Sequence, residues 1–248
     1  MKLYKYTTAE YGLAAIREKR LKVTTLLDAN DPNEWLPVMR DPDTGNDWHA
    51  NPELRGQFRY FWSHRFGFIS LSRHDKNLLM WGHYADKFRG MALEFEVLDQ
   101  HKVTKVEYTV HRYVLDGKSI GNPTEEDLKK FIERKDKVWE YEGEFRLLAN
   151  LHSCTTKRLP NGDTIYFQSF DPDIFSPQVL KLTGVVLGSE CTVTMEDIQQ
   201  AFNRNPPVGF SVLQLAADSP TYALVVSGIN MWNSKDWVQH TIYCTGHR

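Results

Sequence analysis

The stretch KVWEYEGEFRLL, residues 137–148, decides how this chain is interpreted. Aromatic or apolar residues alternate with charged ones at period two, which predicts a single β-strand. One face would carry Trp139, Tyr141, Phe145 and Leu147, and the other Glu140, Glu142, Glu144 and Arg146. Carboxylates two positions apart on a strand project from the same side, with Cβ atoms roughly 7 Å apart. Glu142 and Glu144 are therefore expected to act as a pair.

This charged face has two interpretations. In one it is the solvated face of an antiparallel strand, because charged side chains are rarely buried unless they are paired. In the other, Glu142 and Glu144 point rigidly into a cleft, and the opposite charge of Arg146 keeps a nearby carboxylate ionised. Composition alone favours the first interpretation, so the rest of the chain has to decide.

The overall composition is that of a globular protein. The chain has 248 residues, enough for one large domain or two small ones, with 41% hydrophobic and 25% charged residues. A formal net charge of −2 leaves no broad basic field of the kind that binds nucleic acid in bulk. Aromatic residues make up 12%, with seven Trp, which favours tightly packed or ligand-facing surfaces.

Cysteine usage and hydropathy indicate the cellular setting. Cys154, Cys191 and Cys244 are too few and too far apart for a disulfide framework, and the His residues show no zinc-ligand spacing. The first residues lack the apolar core of a signal peptide, and no run of eighteen apolar residues occurs. We expect a cytoplasmic protein with no membrane contact and no metal site, although a toxin delivered without a signal would look the same.

The chain opens as strand, helix and strand over residues 2–7, 9–19 and 21–26, with Thr8 as the helix cap. Residues 28–56 are rich in Asn, Asp, Pro and Gly and predict a long loop, in which Trp35 and Trp48 are candidates to anchor the loop or face a ligand. Asp31 and Glu34 in this loop are candidate cation ligands, and a simple Asx turn explains the pattern equally well.

Two further segments carry candidate site residues. FGFISLS, residues 66–72, predicts a buried strand with Ser70 and Ser72 on one face, where each hydroxyl needs a hydrogen-bond partner. NLLMWGHYAD, residues 77–86, predicts a helix carrying Trp81, His83 and Tyr84, whose simplest role is packing on the sheet. Together the segments predict one α+β domain over residues 1–248 with a mixed, largely antiparallel, split sheet and flanking helices, in which residues 152–248 complete the sheet.

Several of these motifs, taken in order, resemble a known bacterial family. LYKYTTAEYGLAAIREKRLKVTTL, ANDPNE, FISLSRHDKNLLMWGHYADKFRGMALEF, KVWEYEGEFRLL and GVVLG together resemble the domain-of-unknown-function family numbered 2971, over roughly residues 1–190. The order of strand-helix-strand opening, Ser-x-Ser strand and Glu-x-Glu strand also resembles the ADP-ribosyltransferase fold. That second resemblance implies an activity, whereas the first carries none.

The resemblance implies a role for each matching residue. Glu144 would be the catalytic glutamate that holds the ribose hydroxyl of NAD, and Glu142 would orient the nucleophile. Ser70 and Ser72 would brace the pocket, and Lys5, beside Tyr4, would stand where the fold places an arginine or histidine against NAD. Lys5 and Tyr6 depart from the usual residues, which puts the pose of NAD in question. The resemblance and the aromatic content together give the cofactor-contact candidates Tyr4, Ser70, Ser72, Trp81, His83, Tyr84 and Arg146, and Trp35 is a further candidate for ring stacking.

Three functions follow as expectations. The first is an NAD-binding ADP-ribosyltransferase-like protein that transfers or hydrolyses ADP-ribose, as a toxin or defence-type effector with a protein or nucleic-acid acceptor. The second is a non-catalytic nucleotide-sensing or nucleotide-binding module of a stress or anti-phage system. The third is a nuclease-type hydrolase with Asp31, Glu34 and Glu142 around a metal, for which the spacing is unspecific.

Overall fold

The computed structural model describes residues 1–31, 33–40, 44–45, 47, 51–115, 124–171, 178–203, 205–218 and 221–240. The predicted anchor Trp48 and the third cysteine, Cys244, lie outside these residues, and Cys154 and Cys191 are free thiols. The helices are α1 Ala9–Glu18, α2 Pro52–Ser63, α3 Leu78–Tyr84, α4 Glu125–Ile132 and α5 Met195–Ala201. Within the described residues, none of these helices is long and apolar enough to cross a membrane.

The described residues also form sixteen strands. They are β1 Lys2–Thr7, β2 Arg20–Thr25, β3 Val38–Met39, β4 Phe66–Ser72, β5 Met91–Val97, β6 Val103–Lys105, β7 Glu107–Thr109, β8 Val114–Leu115, β9 Arg134–Asp136, β10 Glu144–Asn150, β11 Thr155–Arg158, β12 Thr164–Ser169, β13 Leu180–Leu187, β14 Ser211–Ala217, β15 Leu224–Trp232 and β16 Trp237–His240. The strand predicted over residues 66–72 is confirmed at both ends, and the opening strand-helix-strand unit is confirmed to within a residue or two.

Twelve of the strands form one sheet. Its order is β11-β12-β2-β4-β1-β5-β13-β14-β15-β16, with β10 on β4 and β6 on β10. All pairs in this sheet are antiparallel except β13 with β14, so the prediction of an α+β protein with a mixed, largely antiparallel sheet is confirmed. The strands that follow residue 152 extend this sheet at both ends.

The sheet splits along one edge of β4. There, β2 pairs with Gly67 and Phe68, whereas β1 pairs only with Ser72. The other edge of β4 pairs with β10 along its whole length, from Glu144 opposite Ser72 to Asn150 opposite Phe66. In these registers residues 69–71 of β4 have partners on β10 alone, so a gap opens between β1 and β2.

The stretch 137–148 is not the single strand that its alternation predicts. Residues Lys137–Glu142 form a 3-10 helix, Gly143 adopts a left-handed conformation with φ 51° and ψ 45°, and β10 begins at Glu144. The left-handed glycine breaks the strand, because such a conformation is unfavourable for residues with a Cβ. Glu140 is consequently exposed, while Glu142 and Glu144 are both buried.

Helix α1 connects the two strands that border the gap. Thr8 caps it by accepting a hydrogen bond from the Tyr11 backbone N–H, as the sequence predicts. A methyl group added at Gly12 would collide with the side chain of Met91 on β5. Glycine is therefore required at this position, because the helix backbone approaches the sheet so closely.

Candidate functional site

A cavity of 260 Å³ lies where β1 and β2 separate on β4, and it is called the first cavity below. Seven of the residues predicted for an NAD site line it: Tyr4, Lys5, Ser70, Ser72, Tyr84, Glu142 and Glu144. Glu34, a candidate cation ligand, lines it as well. The chain brings the seven residues together from β1, β4, α3 and the 3-10 helix with its following strand. Both serines, Glu144 and Lys5 thus converge on one cleft, which the sequence alone could not show.

Each serine of β4 contacts the segment that carries the two glutamates. Ser70 Oγ donates to Glu144 Oε1 over 2.5 Å, and Ser72 Oγ donates to the backbone carbonyl of Glu142 over 2.6 Å. Both hydroxyls therefore have partners within the protein, which avoids the cost of about 1–3 kcal/mol for a buried unpaired group. Ser70 fixes a carboxylate, whereas Ser72 fixes the backbone before Gly143.

The carboxylate of Glu144 is fully occupied by donors from its own chain. Oε1 accepts from Ser70 and from Arg146 Nε, and Oε2 accepts from Arg146 Nη2 at 2.9 Å and from Lys135 Nζ at 3.4 Å. Four bonds fill the roughly four acceptor positions of a carboxylate. Burial opposes ionisation of Glu144, but Arg146 and Lys135 outweigh it and lower the pKa to about 2.

The carboxylate of Glu142 accepts fewer hydrogen bonds than that of Glu144. Its Oε1 accepts from the Tyr84 hydroxyl and its Oε2 from Lys135 Nζ, both over 2.6 Å, so each oxygen keeps a free acceptor position. Burial raises the pKa of Glu142, an effect that Lys135 opposes and that the neighbouring charge of Glu144 reinforces. The pKa values of the two carboxylates in this cavity are therefore shifted in opposite directions, a pattern typical of acid–base pairs in active sites.

The sequence analysis missed the residue that joins the two glutamates. Lys135 lies on β9, which pairs in parallel with β7, and its Nζ contacts Glu34 at 3.0 Å as well as Glu142 and Glu144. The sequence pattern predicts one helix over residues 122–137, which would include Lys135. In fact α4 ends at Ile132, and the short strand that follows turns Lys135 inward.

Glu34, Lys135, Glu142, Glu144 and Arg146 form what is called the buried ion cluster below. Glu34 Oε1 forms an ion pair with Lys135 Nζ at 3.0 Å and accepts a hydrogen bond from Arg146 Nη2 over 2.7 Å. Three carboxylates face two cations, so the cluster carries a net charge of −1 when all are ionised. Despite burial, the surrounding carboxylates raise the pKa of Lys135. Such pairing is what allows charged groups to remain inside a protein.

Like Lys22, Lys5 is a cation at this site without a partner among the described residues. It lines the first cavity, and among the described residues the structure gives its ammonium group no ion pair or hydrogen bond. Burial lowers the pKa of Lys5 to about 8, although the nearby charge of Glu144 opposes this. Tyr4, next to it, donates its hydroxyl to Glu94 Oε2 at 3.3 Å. Lys5 is thus available to an anion that enters the cavity.

The other residues predicted to contact NAD do not line the first cavity. Trp81 is 0% exposed and packs edge-on against Tyr6, with its indole N–H bonded to the Asp75 carbonyl, so it belongs to the core. His83 is exposed beside Tyr141 and does not line the first cavity. Arg146 lies behind Glu144 and is 1% exposed, which makes it a support for the carboxylate. Trp35 is buried and packs on Phe68.

The metal-site interpretation finds no support in the arrangement of side chains. Among the described residues, no group of three or more His, Cys, Asp or Glu side chains is placed to hold a metal ion. Glu34 and Glu142, two of the three suggested ligands, both bind the ammonium group of Lys135. Lys135 thus neutralises the carboxylates that a metal would need.

Comparison with known proteins adds no relative. No protein-family model, no curated protein and no solved structure matches the chain. The function therefore has to be argued from the first cavity and the residues around it.

Proposed function

We propose that this chain cleaves the bond between nicotinamide and ribose in NAD and transfers the ADP-ribose to water or to a macromolecular acceptor. The observation that carries the proposal is the hydrogen bond from Ser70 to Glu144, formed in a cavity that Glu142 and Lys5 also line. A serine-braced carboxylate beside a second carboxylate and a free cation is what the predicted chemistry requires.

The proposed reaction is a dissociative substitution at the ribose carbon C1′. The C1′–N bond breaks, its electron pair stays on the nicotinamide nitrogen, and nicotinamide leaves as a neutral molecule. Positive charge develops on the ribose, where the fixed charge of Glu144 stabilises it electrostatically. A lone pair of water or of the acceptor then forms the new bond to C1′, and the displaced proton passes to Glu142 and on to solvent.

The two glutamates differ in their free hydrogen-bond acceptor positions, and this difference gives them different roles in the proposed reaction. Glu142 has one open position on each oxygen, so it contacts the ribose hydroxyl or the nucleophile directly. Glu144 is held by four donors and supplies charge rather than a new hydrogen bond, unless a hydroxyl replaces the long 3.4 Å contact from Lys135. In this proposal Glu142 makes the direct contact with the substrate, a role that the resemblance assigns to Glu144.

The size of the first cavity limits what it holds. Ligand pockets usually measure roughly 300–1,000 Å³, and this one measures 260 Å³. In this proposal it receives the nicotinamide ribose end of NAD, and the diphosphate lies towards Lys5 and Lys22, which also line the cavity. Ammonium groups suit phosphate as point charges.

The test measures nicotinamide release from NAD, with water alone and with a panel of protein and nucleic-acid acceptors. Glu142→Gln is expected to lower turnover by about 10²-fold or more, the usual effect of losing a general acid–base group. Glu140→Gln is the matched control, because Glu140 belongs to the same stretch but is exposed. The proposal fails if the wild-type protein releases no nicotinamide with any acceptor, or if both variants turn over equally.

One observation favours a second candidate, a module that binds a nucleotide without turnover. Glu144 has no unused acceptor position, which suits a structural carboxylate as well as a catalytic one. Calorimetry of NAD and ADP-ribose binding, alongside the turnover assay, separates the two functions. Binding that depends on Lys5 without any nicotinamide release would establish the module and reject the enzyme.

A further inference from the structure

A second, larger cavity lies directly behind the first. It measures 380 Å³, and it shares Glu34 and Lys135 with the first cavity. These two residues form an ion pair of 3.0 Å, so a single layer of side chains separates the two spaces. The reaction proposed above does not use the second cavity.

Arg112 brings a positively charged guanidinium to the second cavity, near the carboxylates of Asp31 and Asp136. Its Nη1 donates to the backbone carbonyls of Asn33 and Leu36, each over 2.9 Å, which fixes the guanidinium in the wall. Among the described residues it forms no ion pair, and its Nη2 and Nε atoms have no hydrogen-bond partner. A fixed guanidinium with unused donors is a preferred partner of phosphate, because two parallel N–H groups match two phosphate oxygens.

Flat and apolar surfaces lie in the same cavity. Trp139 is half-buried and lines it, with the Lys135 ammonium group 4.9 Å from the centre of its ring system. Val110 and Val138, also in the lining, are 69% and 71% exposed, which is unusual for valine. Nucleobases stack on aromatic side chains and cover such apolar surface.

Polar groups for the edge of a base are present too. The side chains of Asp31 and Asp136 line the cavity and each uses one oxygen to bind a backbone N–H, of Asn33 and Val138 respectively. Their second oxygens can accept from amino or imino groups of a base. Charges of both signs therefore suit a ligand that carries an anionic phosphate together with hydrogen-bond donors.

We propose that the second cavity binds a nucleotide unit, with its phosphate on Arg112 and its base against Trp139. The ligand is either a free mononucleotide or part of a single-stranded nucleic acid. Its binding does not depend on the function proposed above.

The binding test uses the full chain with two probes, AMP and a fluorescein-labelled single-stranded octanucleotide. Anisotropy and quenching of tryptophan fluorescence report the dissociation constants. Arg112→Gln is expected to weaken binding about tenfold or more, as for the loss of a hydrogen bond to a charged group. It should also reduce the salt dependence of octanucleotide binding by about one phosphate contact, which a purely structural effect would not do.

Two further variants guard against misfolding. Arg112 supports a loop through two carbonyls, so Trp139→Leu is measured in parallel and is also expected to weaken binding. Arg89→Gln is the charge-matched control and should leave octanucleotide binding unchanged, since Arg89 is exposed and lines neither cavity. Binding of the octanucleotide but not of AMP would identify a nucleic-acid strand as the ligand, and the reverse a free nucleotide.

The possible results separate this inference from the proposed function. The inference is overturned if neither probe binds the wild-type protein, or if Arg112→Gln and Trp139→Leu both bind as wild type does. Probe binding through Arg112 without any NAD turnover would reject the enzyme and leave the nucleotide site standing.

Discussion

The guanidinium of Arg146 holds the carboxylate of Glu144 through two parallel hydrogen bonds, from Nε to Oε1 and from Nη2 to Oε2, each 2.9 Å long. A third bond, from Nη1 to the Ile132 carbonyl, fixes the guanidinium from behind. This geometry ties the position of Glu144 to the end of α4, so the stability of the chain and the shape of the first cavity depend on the same contact.

Replacing Arg146 with methionine is expected to lower the free energy of unfolding by about 3–5 kcal/mol, because the carboxylates of Glu144 and Glu34 lose a buried partner. Urea denaturation measures the change. The control is Arg89→Met, which removes an exposed ion pair with Asp86 and should have little effect. Equal effects of the two variants would mean that the buried ion cluster contributes nothing to stability.

Acid should destabilise the protein through Glu144. Its pKa in the folded protein is about 2, below the ordinary value of 4.5, so its contribution is complete above pH 4.5 and is lost as the pH falls towards 2. The shift corresponds to about 3 kcal/mol, partly offset by Glu142, whose pKa is raised.

We therefore expect the unfolding free energy of the wild-type protein to fall between pH 5 and pH 2, and that of Glu144→Gln to depend less on pH there. The measurement is urea denaturation at fixed ionic strength across this range. Parallel pH profiles in the two proteins would contradict the prediction.

Gly143→Ala should destabilise the chain and disturb the two glutamates. A Cβ at this left-handed position would lie 2.6 Å from the ring of His74, and the conformation itself costs about 1–2 kcal/mol for a residue with a side chain. Gly56→Ala is the control, since Gly56 lies exposed in α2 with nothing within 4 Å of a new Cβ. That substitution should stabilise by about 0.5–1 kcal/mol.

The pKa of Lys5 predicts how the affinity for NAD depends on pH. With a pKa of about 8, its ammonium group is charged below pH 8 and loses its charge as the pH rises through that value. Phosphate binding should therefore weaken between pH 7 and pH 9, although the stability of the fold rises between pH 8 and pH 10.5, where Lys5 is neutral only in the folded state.

Calorimetric titration of NAD across this range measures the effect. Lys5→Arg retains its charge to much higher pH and should bind NAD with little pH dependence. An identical loss of affinity in the two proteins would assign the titration to another group.

Tyr84→Phe should raise the pKa of Glu142 further. The hydroxyl of Tyr84 donates to Glu142 Oε1 over 2.6 Å and stabilises the ionised form, so its removal favours protonation. The pH profile of nicotinamide release, or a carbon-detected NMR titration of Glu142, measures the change. Tyr11→Phe, at an exposed position in α1, should leave the profile unchanged.

Local patterns predicted much of the fold correctly. The strand over residues 66–72 and the cap at Thr8 follow from short-range preferences, which the structure leaves intact. The long alternation over residues 137–148 was misleading because it spans Gly143. A glycine in an alternating pattern can equally mark a left-handed turn, and this changes which side chains face the interior.

The candidate site was only half predictable, for a physical reason. Ser70, Ser72 and Glu144 lie on the paired strands β4 and β10, and Glu142 lies just before β10, so short motifs bring them together. Lys135 and Glu34 reach the same place from a three-residue strand and a turn, through contacts far apart in sequence. The sequence marks Glu34 only as a candidate cation ligand and does not single out Lys135, so their burial in one ion cluster could not be predicted before the partners were known.

The gap between β1 and β2 has one more consequence. The two strands that border the entrance of the first cavity are consecutive in the chain and joined by the ten residues of α1, whose seat on Met91 leaves no room for a methyl group at Gly12. The width of this gap is therefore linked to the packing of α1 on β5. An alanine at position 12 would require α1 or the Met91 side chain to shift, without changing a single polar group.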